Sequence, residues 1–366
     1  MKKKLIAIIM VLVFLSGCLP TSIIDRILII EAESYDYIGQ NKVYGTVVFQ
    51  NNLSNGGTSG GGTPPMTTTM RSVSGVTYDG KSLVDRFQQA SQRPARVGKI
   101  RIMLCDKKMA EHGLEKTIEN RMRDADTGGD MYLAVTDGNA NQMLTGSYQT
   151  QLPISDYLTN LIEQSEAQNY PSSSLHSILY SYFGSYMDPF MPMIKKRGKH
   201  LEMDGIALFK KGKMAMSVPE NDTYIFKMLY EPFNQGFFDY QYSSNQHIAL
   251  RNIGTGHQYS VKKGNSFRPE IYATVQIKAQ VRQIAPGLLK EGPNKALEHK
   301  IEQDLEKRAC AMVRRFQEKG IDPLGLGDLT RSYTRYFHGK SWPDRYKNAQ
   351  FHCHVSLTIT QNGISM

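Results

Sequence analysis

The 366-residue chain is long enough for two or three domains, and its apolar and aromatic content is ordinary for a globular protein, so a substantial core can form. Its formal net charge is +10, a surplus that suits an anionic lipid surface. Nucleic acid is the other common partner of basic chains, but no recognition motif is present, and nucleic acid is set aside.

The chain opens with Lys2, Lys3 and Lys4, followed by an apolar run from Leu5 to Leu15. That run is too short for the ~20 residues that span a bilayer, and a basic start with a short apolar core describes a secretory signal peptide over 1–17. The run ends in Leu15-Ser16-Gly17-Cys18, which resembles the bacterial lipobox. On that resemblance the chain is cut before Cys18 and the Cys18 sulfur carries diacylglycerol, so acyl chains at ~0.8 kcal/mol per buried methylene hold the protein to a membrane. Removing the three lysines leaves a net charge of +7. Of the four cysteines, Cys105, Cys310 and Cys353 lie far apart with no Cys-x-x-Cys spacing, and three free thiols are expected.

After Cys18 a short tether passes Pro20. Ile23 to Ile30 reads as a buried strand, with Val43 to Phe49 as its partner. Residues 51–69 are rich in Gly, Ser, Thr and Asn and cannot offset the entropy of ordering, so they read as a mobile loop. Ser82 is placed to cap a helix bearing Leu83, Val84, Phe87 and Ala90. In Lys99 to Cys105, Ile100, Ile102 and Leu104 alternate with Arg101 and Met103 as in a strand. A helix carrying Leu114, Ile118 and Met122 follows, and then a strand from Met131 to Val135. This rhythm predicts a mixed α/β unit.

Two amphipathic helices come next, one with Ile154, Tyr157, Leu158, Leu161 and Ile162 on a stripe, the other with Leu175, Ile178, Leu179, Tyr182, Phe183 and Tyr186. Asp188-Pro189-Phe190-Met191-Pro192 is expected to stop the second and begin a linker. Met203 to Phe209, the turn Lys210-Lys211-Gly212-Lys213 and Met214 to Val218 read as a hairpin, before a helix with Ile225, Met228 and Leu229. Strands are then expected at Phe237 to Tyr242, His247 to Asn252, His257 to Lys262, Pro269 to Gln283 and Gln350 to Thr360. The longest helix starts at Asn294 and ends at Gly320, with Leu297, Ile301, Leu305, Ala309, Met312, Val313 and Phe316 on its apolar edge. Its Glu298, Glu302 and Glu306 read as solvated. The fold class is α+β: three mixed α/β domains in a row (18–200, 201–236 and 237–366) behind an N-terminal lipid anchor.

The search for chemistry is short. Gly325-Leu326-Gly327 and Gly254-Thr255-Gly256 are too brief for a phosphate-binding fingerprint, and no nucleophile elbow or zinc-protease helix is present. His352 and His354 share one face of a strand and are the best metal candidates, on a face that otherwise reads as exposed. Arg121, Arg123, Asp124 and Asp126 read as ties between a helix and its neighbours. No nucleophile, base and oxyanion donor come together, so no catalytic residue, cofactor or metal is assigned. Gly320 suits a helix C-cap, Pro323 blocks continuation, and Gly325 permits a positive φ. Asp322 to Gly327 is therefore expected to be a rigid corner leading to the aromatic segment Tyr333, Tyr336, Phe337 and Trp342.

Taken together, several stretches resemble the lipoprotein C subunits of spore germinant receptors, the Ger(x)C family. They are the lipobox at Cys18; Gly80-Lys81-Ser82-Leu83; the Ala-x-x-Gly-Leu segment within Lys108 to Leu114; Arg123-Asp124; Pro189 and Pro192; the hairpin Gly205 to Lys213; Glu302; Asp322-Pro323-Leu324-Gly325-Leu326-Gly327; Trp342; and Gly363. The chain departs from the family's usual Trp-Asp after the lipidated cysteine, having Leu19-Pro20, and its loop at 51–69 is longer. The resemblance implies a three-domain α+β protein on the outer face of the spore inner membrane, anchored at Cys18. It also implies partnership with integral-membrane A and B receptor subunits and a role in assembly or signal relay without catalysis. Two other functions compete with it: a lipid-anchored solute-binding protein, and a metal-dependent envelope hydrolase using His352 and His354.

Overall fold

The structure, a computed structural model, describes residues 27–52, 68–97, 99–124, 127–243, 246–284 and 295–360. The strands among them form two sheets. The first begins with β1 (Leu28–Gly39) and β2 (Lys42–Asn52), an antiparallel hairpin turned by Gly39, Gln40 and Asn41, all at positive φ. β3 (Thr68–Thr77) continues the hairpin at the edge, and the short β4 (Ala95–Arg96) pairs with the start of β1. On the other side of β1, β5 (Ile102–Asp106), β6 (Tyr132–Asp137) and β7 (Phe190–Arg197) run parallel to it. β8 (His200–Lys210) and β9 (Lys213–Val218) then close the sheet antiparallel.

Helices cover both faces of the parallel strands. One face packs against α1 (Gly80–Ala90), α2 (Lys107–His112), α3 (Glu115–Arg123) and α6 (Leu175–Phe183), the other against α4 (Ala140–Leu144) and α5 (Ile154–Ala167). This explains β5, where alternation predicted one buried face. Ile102 and Leu104 lie in one apolar cluster and Met103 and Cys105 in the other, so both faces are buried, as parallel sheets require. The carboxylates of β1 fix three of the helices. Glu31 accepts from Ser155 Oγ of α5 at 2.8 Å, Glu33 is ion-paired with Arg121 of α3, and Asp36 accepts from Ala140 and Asn141 N at the start of α4.

Several expectations change. Asp79, not Ser82, caps α1, its side chain accepting from Ser82 N at 2.8 Å. The helix expected with Leu114, Ile118 and Met122 is α3, with Leu114 at its N-cap, although Met122 is exposed; Gly113 at φ +137° separates it from the short α2, which was not expected. The expected linker at Asp188 to Pro192 is instead the entry to β7. Pro192 is tolerated there because it sits at a register shift, before pairing with β6 begins at Val135↔Met193. β3 was masked by its Ser, Thr and Gly content, which suits a solvent-facing edge. Only the ends of the 51–69 loop, in β2 and β3, are described. The hairpin of the expected 201–236 module has no sheet of its own, because β7 offers β8 an edge and both strands join the first sheet. Its turn is tight, with Lys211 and Gly212 at φ +48° and +77°.

The second sheet has the order β10 (Phe237–Ser243), β11 (Gln246–Lys262), β12 (Glu270–Ile284), β13 (Gln350–Thr360). β11 is one continuous strand where two were expected, with Gly254 beside a register shift. α8 (Lys295–Lys319) crosses from β12 to the parallel β13 and buries the apolar edge read from sequence. α7 (Glu220–Tyr230) lies between the sheets, buried from Thr223 to Leu229, and one apolar cluster runs from the first sheet through α7 to the second.

Glu298, Glu302 and Glu306 are not simply solvated. Their carboxylates accept from Ile359, Leu357 and Val355 N at 2.7, 2.7 and 2.9 Å. Four helical residues advance ~6 Å and two strand residues ~6.6 Å, so one helix face can serve alternate amides along the edge of β13. Glu302→Ala should cost about 1 kcal/mol, read as a lower urea midpoint. Replacing all three with Ala should cost more and promote self-association through β13, read by size-exclusion chromatography. Unchanged midpoints and a monomeric triple variant would contradict the ladder.

Candidate functional site

Cys18 lies outside the described residues, as does Asp126. His352 and His354 share a face of β13, as expected. His352 stacks on Tyr272 and His354 Nδ1 lies 3.0 Å from Glu306, but no set of three ligating side chains gathers there among the described residues. Arg121 ties α3 to Glu33 on β1, while Arg123 pairs with Glu119 on its own helix. Cys105 is buried, Cys310 and Cys353 are half-buried, and none is bonded to another; burial pushes the Cys353 thiol up to about 12.

Besides those on and around β1, buried polar groups gather at the corner at Asp322, with Asp188, Gln317, Thr330 and Arg345. α8 ends in a Schellman motif: Gly320 stands at φ +65°, Ile321 N donates to Phe316 O, and Gly320 N donates to Gln317 O. The next residue, Asp322, is buried. Its carboxylate accepts from Leu326 N at 2.9 Å and Gly327 N at 2.7 Å, at the start of α9 (Leu326–Tyr333). Gly325 completes the turn at φ +67°, the conformation expected of it.

Asp322 also joins the two sheets. Asp188, which leads into β7, donates its N–H to Asp322 O at 2.9 Å, and its carboxylate accepts from Asp322 N at 2.7 Å. The same Asp188 oxygen accepts from Lys210 Nζ, at the end of β8, at 2.8 Å. Burial raises the Asp322 carboxyl to about 7; the two amide donors and Lys210 pull it back, and Asp188 pushes it further up. The site is an enclosed electrostatic joint that holds a proton near neutrality. It supplies no nucleophile.

Aromatic packing surrounds this joint. Tyr186 meets Phe337 edge to face, with centroids 5.3 Å apart. A Cβ on Gly327 would lie 2.6 Å from Tyr186 Cβ and 2.4 Å from Trp342 Nε1, so the missing side chain makes the slot for Tyr186. Met187 packs on Gly325 in the same way, its sulfur 3.3 Å from where a Cβ would stand. Trp342 opens α10 (Trp342–Asn348), whose buried Arg345 donates to Gly264 O and to His338 O and lies over the rings of Phe337 and Trp342. Tyr333 and Tyr336 of the expected aromatic segment are exposed instead.

A second buried tie escaped sequence reading. Lys227 of α7 is 2% exposed and donates to Glu166 O and, at 3.1 Å, to Gln168 O, the carbonyls at the end of α5. It pairs with Glu231 at 3.6 Å, and burial lowers its pKa. A cation is favoured at a helix C-terminus, and the only sequence signal was a lysine within an apolar helix.

Comparison with known proteins gives one consistent result. A family model described as the spore germination protein N-terminal domain matches residues 21–196, and one described as spore germination B3/GerAC like, C-terminal, matches residues 204–363. The chain is 31% identical over 368 residues to the spore germination protein GerQC of Bacillus cereus, with 99% of each chain covered. It also resembles the crystal structure of the GerBC protein, with a TM-score of 0.58 over 87% of this chain and 94% of that one. At 15% identity this last likeness concerns the fold.

Two substitutions test the joint. Gly325→Val forces a β-branched residue to positive φ against Met187 and should cost about 1–3 kcal/mol, read as a lower melting temperature. Asp322→Asn tests the titration. The Asp322 pKa is about 7 folded, against about 4 for an unfolded aspartate, so its stabilising proton is held below about 4 and lost as pH rises through 7. The urea-midpoint advantage of wild type over Asp322→Asn should therefore shrink as pH climbs through that window. A pH-independent difference would show that Asp322 does not titrate there.

Proposed function

The chain belongs to the GerAC-like family of spore germination proteins, and from that premise we propose that it is the lipid-anchored C subunit of a germinant receptor. The observation that carries this reading is full-length correspondence with a spore germination protein, 99% of both chains. The lipobox adds the anchor: diacylglycerol on Cys18, holding the folded body at the outer face of the spore inner membrane. None of the helices among the described residues is long and apolar enough to cross a membrane, which accords with attachment through the N-terminus. The partners are the integral-membrane A and B subunits, and the contribution is assembly or relay of the nutrient signal without catalysis. An interlocked body suits that role, since the hydrogen bonds between Asp188 and Asp322 tie one sheet to the other. We also propose that the functional division follows the two sheets, with the 201–236 segment shared between them.

The test is made in spores. Cys18→Ala should move the protein from the membrane to the soluble fraction and impair nutrient-triggered germination. Mass spectrometry of the wild-type mature N-terminus should show an acylated cysteine. A variant that stays in the membrane fraction and supports normal germination would sink the proposal.

A further inference from the structure

The end of the first sheet where the chain enters is basic. β1, β5 and β6 are parallel, so their starts lie at one end, together with the start of β3 and with β4. Four exposed cations sit there: Arg71 on β3, across β2 from Ile30; Arg93; Arg96, paired in register with Ile29; and Lys99. Arg101 is beside them and is ion-paired with Asp156 of α5. Among the described residues, the carboxylates nearest these cations are Asp156 and Glu31, which is buried and accepts from Ser155; farther across, at the start of β6, Asp130, Glu163 and Glu166 surround Tyr132. Positive charge is therefore in excess around the starts of β3 and β5 and at β4. A groove by the same end is lined by Met70 and Arg71 with Leu152, Pro153 and Ile154, and Leu152 is 48% exposed.

We propose that this end is a docking face for an anionic bilayer surface, with Arg71, Arg93, Arg96 and Lys99 meeting lipid phosphates and Leu152 at the rim reaching the acyl boundary. The orientation rests on the lipid anchor proposed above. Nine chain steps separate Cys18 from Ile27, a reach of at most about 30 Å, and the described chain emerges at this end. An acylated Cys18 thus keeps these cations close to the headgroups. Each is worth a several-fold gain in membrane affinity near an anionic surface, and the attraction falls off within a Debye length. An acyl chain and a basic face are the two signals that stable attachment takes.

The chain from position 18 carrying Cys18→Ala removes the acyl group and keeps every described residue. It should co-sediment with vesicles containing phosphatidylglycerol, poorly with phosphatidylcholine alone, and less as salt rises. Arg93→Glu, Arg96→Glu and Lys99→Glu together should lower that binding at least about tenfold with an unchanged melting temperature. A charge-matched control, Lys107→Glu, Lys108→Glu and Lys199→Glu together, at the opposite end of the sheet, should bind as before. Equal binding to both vesicle types, loss in the control as great as in the patch variant, or a preference for duplex DNA over vesicles would overturn the proposal. The two readings fail separately. An unmodified Cys18 in spores removes the anchor and leaves vesicle binding measurable, whereas an unlipidated chain indifferent to phosphatidylglycerol removes the docking face and leaves the anchor intact.

Discussion

Two short segments, Tyr186 to Asp188 and Gly320 to Gly327, hold the two sheets in a fixed relation. Between them run a backbone hydrogen bond from Asp188 N to Asp322 O and, in the reverse direction, one from Asp322 N to the Asp188 carboxylate, which also accepts from Lys210 of β8. Asp322 also receives both amides that open α9, so the end of α8, the turn and the next helix are set by one side chain. Breaking the contact would leave buried amides and a carboxylate without partners, at about 1–3 kcal/mol per neutral group and more for the charge. Loss of any one partner in the joint is therefore costly, and the contact favours a fixed relation between the two sheets.

The halves are interlocked a second time by topology. The boundary between the two family models falls between residues 196 and 204, across the turn from β7 to β8. Most of β8 and all of β9 thus lie in the C-terminal match yet complete the sheet begun by the N-terminal one. Buried α7 follows directly and packs toward both sheets. Neither half has its full core alone.

Local signals carried much of this fold into the sequence. The apolar stripe of α8 is buried as read, Gly320 caps it, Gly325 takes a positive φ, and the β12 face from Ile271 to Ala279 is buried. What stayed hidden depends on distant partners. Nothing local distinguishes a glutamate facing water from Glu302, whose partner is the amide of Leu357. Asp188-Pro189-Phe190 reads as a stop until β6 and β8 are in place on either side. Asp322 was legible as part of a turn, but its role as a joint needs Asp188, 134 positions away. Lys227 was invisible for the same reason, because its partners are carbonyls on another helix.

The treatment of sheet edges bears on how such a body can associate. β13 is closed by the three glutamates of α8. On the opposite edge, the Asn169 amide substitutes for a neighbouring strand at Phe237, accepting from its N–H at 3.1 Å and donating to its carbonyl at 2.8 Å, and Lys300 donates to Tyr242 O. Side chains thus occupy hydrogen-bonding positions on both outer edges of the second sheet, which limits strand addition there. The first sheet ends in β3 on one side, where Ser72 and Ser74 are exposed, and in β9 on the other. Association with companion subunits, on the reading proposed above, therefore falls to surfaces other than the edges of the second sheet. The docking face proposed above fits this arrangement, since exposed cations gather at the end of the first sheet where the described chain begins.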